Sequence, residues 1–220
     1  MRAFLKCCVA RLHCIVLVVL VAGCSKHDMR HRLIVSIPEQ RMLVMEDGKP
    51  LVQYQVSTSM FCVSNEFGSN GTPLGEFEII KKIGDDAPFG AVFEKQRMTG
   101  EILRPNTPGR FSMVSRLLCL NGLETSNRNT FKRTIYIHGT AEEANIGKQA
   151  SHGCIRMRST DVMKLYDIVG LRTKVLITED TLEQIAHVNI PDGRPAAANG
   201  GLGAPNQTNL LQVATGSQMR

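Results

Sequence analysis

Cys154 is the residue of this chain best suited to covalent chemistry, because two imidazoles accompany it. His152 stands two residues before it and His138 sixteen residues before it. A thiol is a strong nucleophile only as thiolate, and a nearby imidazole that accepts its proton supplies that state near neutral pH. The local sequence is Ser151-His152-Gly153-Cys154-Ile155-Arg156-Met157, preceded by Ile137-His138-Gly139-Thr140. Gly139 and Gly153 let the backbone turn sharply here, and turned N–H groups beside a nucleophile can form an oxyanion hole. These are the parts of acyl transfer through a thioester. Zinc binding by His138, His152 and Cys154 is chemically possible, but the three lack a paired CxxC or HxxxH spacing. No metal or other cofactor is expected.

At these residues the chain resembles the L,D-transpeptidase family, the YkuD-type catalytic domain of bacterial cell-wall enzymes. The shared blocks are His138-Gly139-Thr140, Ile146-Gly147-Lys148 and Ser151 to Met157, with Val56-Ser57-Thr58 and Gly71-Thr72-Pro73-Leu74-Gly75-Glu76-Phe77 upstream. The resemblance runs from about Arg32 to Thr178. It implies a mainly β fold, a mixed β-sheet sandwich with one or two short helices. It also implies that Cys154 is the nucleophile and His138 the proton acceptor and donor. Around them Gly139, Ser151, His152, Gly153 and Arg156 would form the substrate and oxyanion region, with Tyr136 either lining it or packing beside it, and the Arg156 guanidinium either facing a stem-peptide carboxylate or held in a structural ion pair. No third carboxylate is assignable, so a backbone carbonyl is the candidate to orient His138.

The implied partners are peptidoglycan stem peptides, as donor and as acceptor, or an envelope protein as acceptor. In the resembling enzymes a stem tetrapeptide is attacked at its third residue and terminal D-alanine leaves. If water resolves the thioester instead, the enzyme is a carboxypeptidase or amidase. A non-catalytic peptidoglycan-binding lipoprotein is the reading outside enzymology. Papain-like and NlpC/P60 hydrolases place cysteine before histidine, the reverse of the order here.

The elements that must position these residues read as short strands punctuated by turns. Leu33–Ile37 and Met42–Met45 flank a turn, and Asp47-Gly48 before Leu51–Val56 is a hairpin signal. Ser69–Pro73 is another turn, followed by Glu76–Ile79 in strand alternation. In Ile135-Tyr136-Ile137-His138 the isoleucines share one face and Tyr136 and His138 the other, which puts His138 at a strand end on the substrate side. Residues 84–109, rich in Gly and Pro, read as a long loop or flap. Ser159 is a candidate cap for a helix with Val162, Leu165, Tyr166 and Val169 on one face and Gly170 as its stop. After a strand at Lys174–Thr178, Asp180 and Glu183 are a candidate capping box for a short helix within 179–190.

The termini read differently. Residues 1–23 combine a basic start with an apolar run, ending in Val21-Ala22-Gly23-Cys24. The run, from Leu12 to Ala22, is shorter than the roughly 18 residues a membrane span needs. Small residues before a cysteine resemble a lipoprotein processing site, so Cys24 is the expected lipidation site, with 24–31 as a tether and the domain at 32–178. A plain secretory signal is the alternative. Either reading exports the chain. A lipid anchor would hold it at a membrane in the periplasm, and Ser25 favours the outer membrane where there is one. Residues 191–220 have the composition of a disordered tail.

Removing Arg2, Lys6 and Arg11 with the leader takes the formal charge from +6 to +3, too weak a balance to argue for nucleic acid. Of seven cysteines, Cys62, Cys119 and Cys154 remain in the domain. An odd number leaves at least one free thiol in the absence of pairing between molecules. Cys62 and Cys119 are either a disulfide or two buried thiols.

Overall fold

The first strands are apolar on both faces, and each face has its own cover. The computed structural model describes residues 27–187, so the leader, Cys24 and the 191–220 tail lie outside the described residues. Strands β1 (His31–Ser36), β2 (Arg41–Glu46) and β3 (Lys49–Gln55) form an antiparallel meander. Asp47 and Gly48 both take positive φ, 48° and 76°, the geometry of a two-residue hairpin. Leu33, Val35, Met42 and Val44 enter the main core, while Ile34 and Leu43 pack against a terminal helix on the other side. A strand buried on both faces reads as an unbroken apolar run.

Beyond these lie β4 (Gly75–Ile83), β5 (Ala91–Glu94), β6 (Arg97–Ile102), β7 (Met113–Gly122), β8 (Tyr136–Thr140) and β9 (Ile155–Met157). Helix α1 (Ser159–Ile168), β10 (Lys174–Thr178) and helix α2 (Leu182–His187) complete the described chain. The sheet order is β3-β2-β1-β10-β4-β7-β5-β6, with β8 also on β7 and β9 on β8. It is mixed, since β1 with β10 and β8 with β9 are parallel and the other pairs antiparallel. The strand β7 is the branch point, pairing with β4 and β5 along one edge and with β8 along the other.

One core joins the two parts of the sheet. Phe77, Ile79, Val175 and Ile177 from the first part meet Leu118, Leu120, Ile137 and Ile155 from the second, with Val162, Leu165 and Tyr166 of α1 packed in. Full burial of such side chains stabilises by about 1.5–3 kcal/mol each, so this face governs register. On the other face of β7 and β8, Leu117, Cys119 and Tyr136 form a smaller cluster that Cys154 packs against. The outcome is the expected mainly β sandwich with two short helices.

Several local expectations need correction. Residues 84–109 are not one loop, because β5 and β6 form a hairpin within them. Its turn residues Lys95 and Gln96 adopt φ of 47° and 65° without a Gly or Asn to signal it, and β6 is exposed throughout, so no apolar alternation marks it. Ser159 is the first helical residue and not the cap; the Glu143 carboxylate accepts its N–H at 2.8 Å. The second capping box forms one residue later than expected. Thr181 N–H donates to Gln184 Oε1 (2.7 Å) and Gln184 N–H to Thr181 Oγ1 (3.3 Å).

Asp28, which falls within the expected tether, is docked on the domain. Its carboxylate accepts from Gly170 N–H (2.7 Å) and Thr173 Oγ1 (2.8 Å), and its N–H donates to Leu171 O (2.8 Å). Burial alone would raise this carboxyl, but these bonds and those from His31 hold it at about 2.

Candidate active site

The pairing of β8 with β9 assembles the site. The strands are parallel with His138 opposite Arg156 and Ile137 opposite Ile155, so the isoleucines share the core face and His138 and Arg156 the other. Cys154, two residues before Arg156, falls on the His138 side next to Tyr136. His138 occupies the middle of β8 and not its end, which explains why it is only 3% exposed.

The imidazole is fixed by its own neighbour. His138 Nδ1 lies 2.8 Å from Gly139 O. A carbonyl only accepts, so Nδ1 carries the proton and the neutral ring presents Nε2 as a base. Gly139 therefore serves through its carbonyl and through its lack of a side chain, since a Cβ there would come within 2.5 Å of Val114 O. Burial, with the Arg156 charge in the same direction, lowers the His138 pKa to about 4 against the opposing pull of Gly139 O.

Cys154 is half-buried. Its Sγ accepts the Tyr136 N–H (3.4 Å) and donates to Thr134 O (3.4 Å). Burial pushes its pKa up, while the Tyr136 N–H and the Arg156 and Arg133 guanidinium charges favour the thiolate. Both directions leave the thiol protonated and the imidazole neutral near neutral pH.

The segment Val56 to Met60 straps the nucleophile loop from outside. Gly147 N–H donates to Val56 O (3.0 Å), Ser151 N–H to Thr58 O (2.8 Å) and Met60 N–H to Ser151 O (3.0 Å), while Ser57 and Arg156 exchange two backbone bonds (2.9 and 2.8 Å). Ser151 Oγ donates to Cys154 O (2.6 Å) and accepts from Gly153 N–H (3.1 Å). The Gly153 N–H is therefore already engaged. Thr72 Oγ1 holds Gly153 O (3.1 Å), and Gly153 has φ +113° with Gly71 O only 2.9 Å from where a Cβ would lie. Only glycine fits that turn.

A cleft of about 270 Å³ adjoins the loop, lined in part by Met60, Phe111, Glu142, Lys148, His152 and Arg156. His152 is exposed and its ring packs against Phe61 in a tilted arrangement, centroids 5.1 Å apart at 59°. Arg156 is buried, and its Nη1 pairs with Glu142 Oε2 at 2.8 Å. Of the two roles open to Arg156, the ion pair is the one observed. Tyr136 is buried and its hydroxyl accepts from Gln96 Nε2 (3.1 Å), which ties the β5–β6 hairpin to the site. Cys62 and Cys119 are both free, the first exposed and not buried as expected, the second buried.

Four residues around the site carried no sequence signal: Glu142, Gln96, Arg133 and Thr134. Arg133 donates to Ser64 O (2.8 Å) and Gly71 O (2.7 Å), partners more than sixty residues away. Contacts of that range leave no local pattern. Among the described residues no cluster of three metal-ligating side chains occurs, and no helix is long and apolar enough to cross a membrane.

A sequence description of the YkuD L,D-transpeptidase catalytic domain matches residues 30–177. The Bacillus subtilis protein named "Putative L,D-transpeptidase YqjB" is 31% identical over 157 residues, covering 70% of this chain and 76% of that protein. Another from the same organism, "Putative L,D-transpeptidase YkuD", is 38% identical over 79 residues, 36% of this chain and 48% of that protein, so the match spans about half of that relative. Among solved structures, an L,D-transpeptidase from Mycobacterium smegmatis aligns with a TM-score of 0.46 at 18% identity, over 68% of this chain and 58% of that one.

Proposed function

Since the chain belongs to the YkuD family of L,D-transpeptidase catalytic domains, we propose that it is a peptidoglycan L,D-transpeptidase in which Cys154 is the nucleophile and His138 moves the proton. The observation that carries this reading is the His138 imidazole, locked by Gly139 O into the tautomer of a base on the strand face that also bears Cys154.

The Cys154 proton passes to His138 Nε2 as Sγ bonds to the carbonyl carbon of the third residue of a stem tetrapeptide. The oxyanion is held by backbone donors beside the nucleophile. With Gly153 N–H given to Ser151, the Cys154 N–H is the donor at hand. Collapse breaks the peptide bond, and His138 gives its proton to the departing D-alanine amine. An amine of a second stem, or of an envelope protein, then attacks the thioester, and His138 takes up and returns one more proton.

Incubation with purified tetrapeptide muropeptides, followed by mass spectrometry, tests this. Cross-linked dimers together with an acyl adduct on Cys154 are expected, and Cys154→Ala abolishes both. Shortened monomers alone would assign hydrolysis instead, and binding without turnover a non-enzymatic module. We propose further that the chain is exported and lipid-anchored at Cys24. Fatty-acid labelling lost in Cys24→Ser is the expected result, and a labelled Cys24→Ser protein would refute the anchor.

A further inference from the structure

The cleft beside the nucleophile loop offers two cations to a ligand, Arg156 and Lys148, and they are not equivalent. Arg156 is buried on β9 and its guanidinium is already paired with Glu142 at 2.8 Å. Glu142 is itself held from the other side, since its Oε1 accepts from Asn145 Nδ2 at 3.3 Å. Extracting that arginine for a ligand would take a buried guanidinium away from its half-buried carboxylate partner, and separating a pair removed from solvent is costly.

Lys148 differs in each respect. It is exposed, it lines the same cleft, and it has no ion pair among the described residues. Its backbone is fixed, because the turn after Ile146 places Lys148 N–H on Asn145 O (3.2 Å) and the next residues are strapped to Thr58. With Arg156 and Glu142 cancelling, Lys148 gives the cleft a net positive charge next to a Gln149 amide on its wall. Met60 and Phe111 contribute apolar surface to the same cleft. That combination suits an extended peptide bearing a free carboxylate.

We infer that Lys148, and not Arg156, is the specificity-determining residue that reads a free carboxylate on the peptide seated in this cleft, and that the Glu142–Arg156 pair is fixed wall. The inference rests on the peptidoglycan reading above. It makes the protein discriminate a stem peptide with free carboxylates from one in which they are amidated.

The test is binding, which separates it from turnover. The full chain carrying Cys154→Ala is titrated with a stem tetrapeptide in its free-acid form and in its carboxamide form. A preference of roughly two- to fivefold in Kd for the free acid is expected, the size of an exposed charge pair. Adding Lys148→Gln removes the preference, and Lys148→Arg restores it. Adding Arg156→Gln weakens both peptides alike. A preference that survives Lys148→Gln, one that only Arg156→Gln abolishes, or equal binding of the two peptides would overturn the inference. If the preference holds but Cys154 in the unmodified protein never acylates, the transferase reading fails and the carboxylate site stands.

Discussion

His138 is 3% exposed and burial lowers its pKa to about 4, so over the neutral range its ring is neutral, while burial pushes the Cys154 thiol up and keeps it protonated. In the proposed mechanism the thiolate forms as substrate arrives, favoured by the Tyr136 N–H and the two arginine charges. Replacing the imidazole removes proton transfer in both directions, and His138→Gln is expected to lower the rate of Cys154 acylation by about 10²–10⁴-fold, read by mass spectrometry of the adduct. The same burial links pH to stability. The folded pKa, about 4, lies below the ordinary 6.5, so the unfolded chain binds the proton first as pH falls. Stability from the neutral ring is complete above pH 6.5 and is lost as pH falls through about 4, by roughly 3 kcal/mol in the limit. Urea unfolding at pH 7 and pH 4 measures it: the loss between the two is expected to be smaller in His138→Gln than in the unmodified chain.

At the scale of elements, the nucleophile loop is a clamped structure and not a flexible one. Its geometry depends on Thr72, whose hydroxyl donates to Gly153 O and accepts the Ser59 N–H (2.9 Å). Thr72→Val keeps the shape but leaves that buried N–H and carbonyl unpaired, an expected cost of about 1–3 kcal/mol in denaturant unfolding, with slower acylation of Cys154. Gly153→Ala conflicts with both φ +113° and Gly71 O, so it is expected to reduce acylation further while the fold persists by circular dichroism. The Val56–Thr58 block is a strap, legible in sequence as a motif but not as the outer partner of β9.

The whole molecule treats its domain cysteines in three ways. Cys119 is fully buried and pushed up to about 11, Cys62 is exposed, and Cys154 is half-buried in the site. Alkylation of the folded protein followed by peptide mapping is expected to label Cys62 and to leave Cys119 unlabelled; a Cys62–Cys119 disulfide in that map would contradict the fold. The N-terminal end of the domain is likewise part of the whole, because Asp28 ties the start of β1 to the α1–β10 turn. Asp28→Asn is expected to cost about 1–3 kcal/mol at neutral pH. This difference shrinks on acidification, as the carboxylate's contribution is lost through its folded pKa, about 2.

The residues alone determined a good deal. Local order was enough to single out Cys154 and His138 as candidates, because thiol, imidazole and glycine turns sit in one short stretch. Strand parity alone put His138 and Tyr136 on one face, since side chains alternate whatever the partner strand is. Parity says nothing about partners across the sheet. The parallel register of β8 with β9, the Glu142 carboxylate on Arg156 and the Gln96 contact with Tyr136 were all decided in the tertiary structure. Each joins groups that are brought together by burial of a shared core or by the course of the backbone, and no spacing along the chain encodes such a contact.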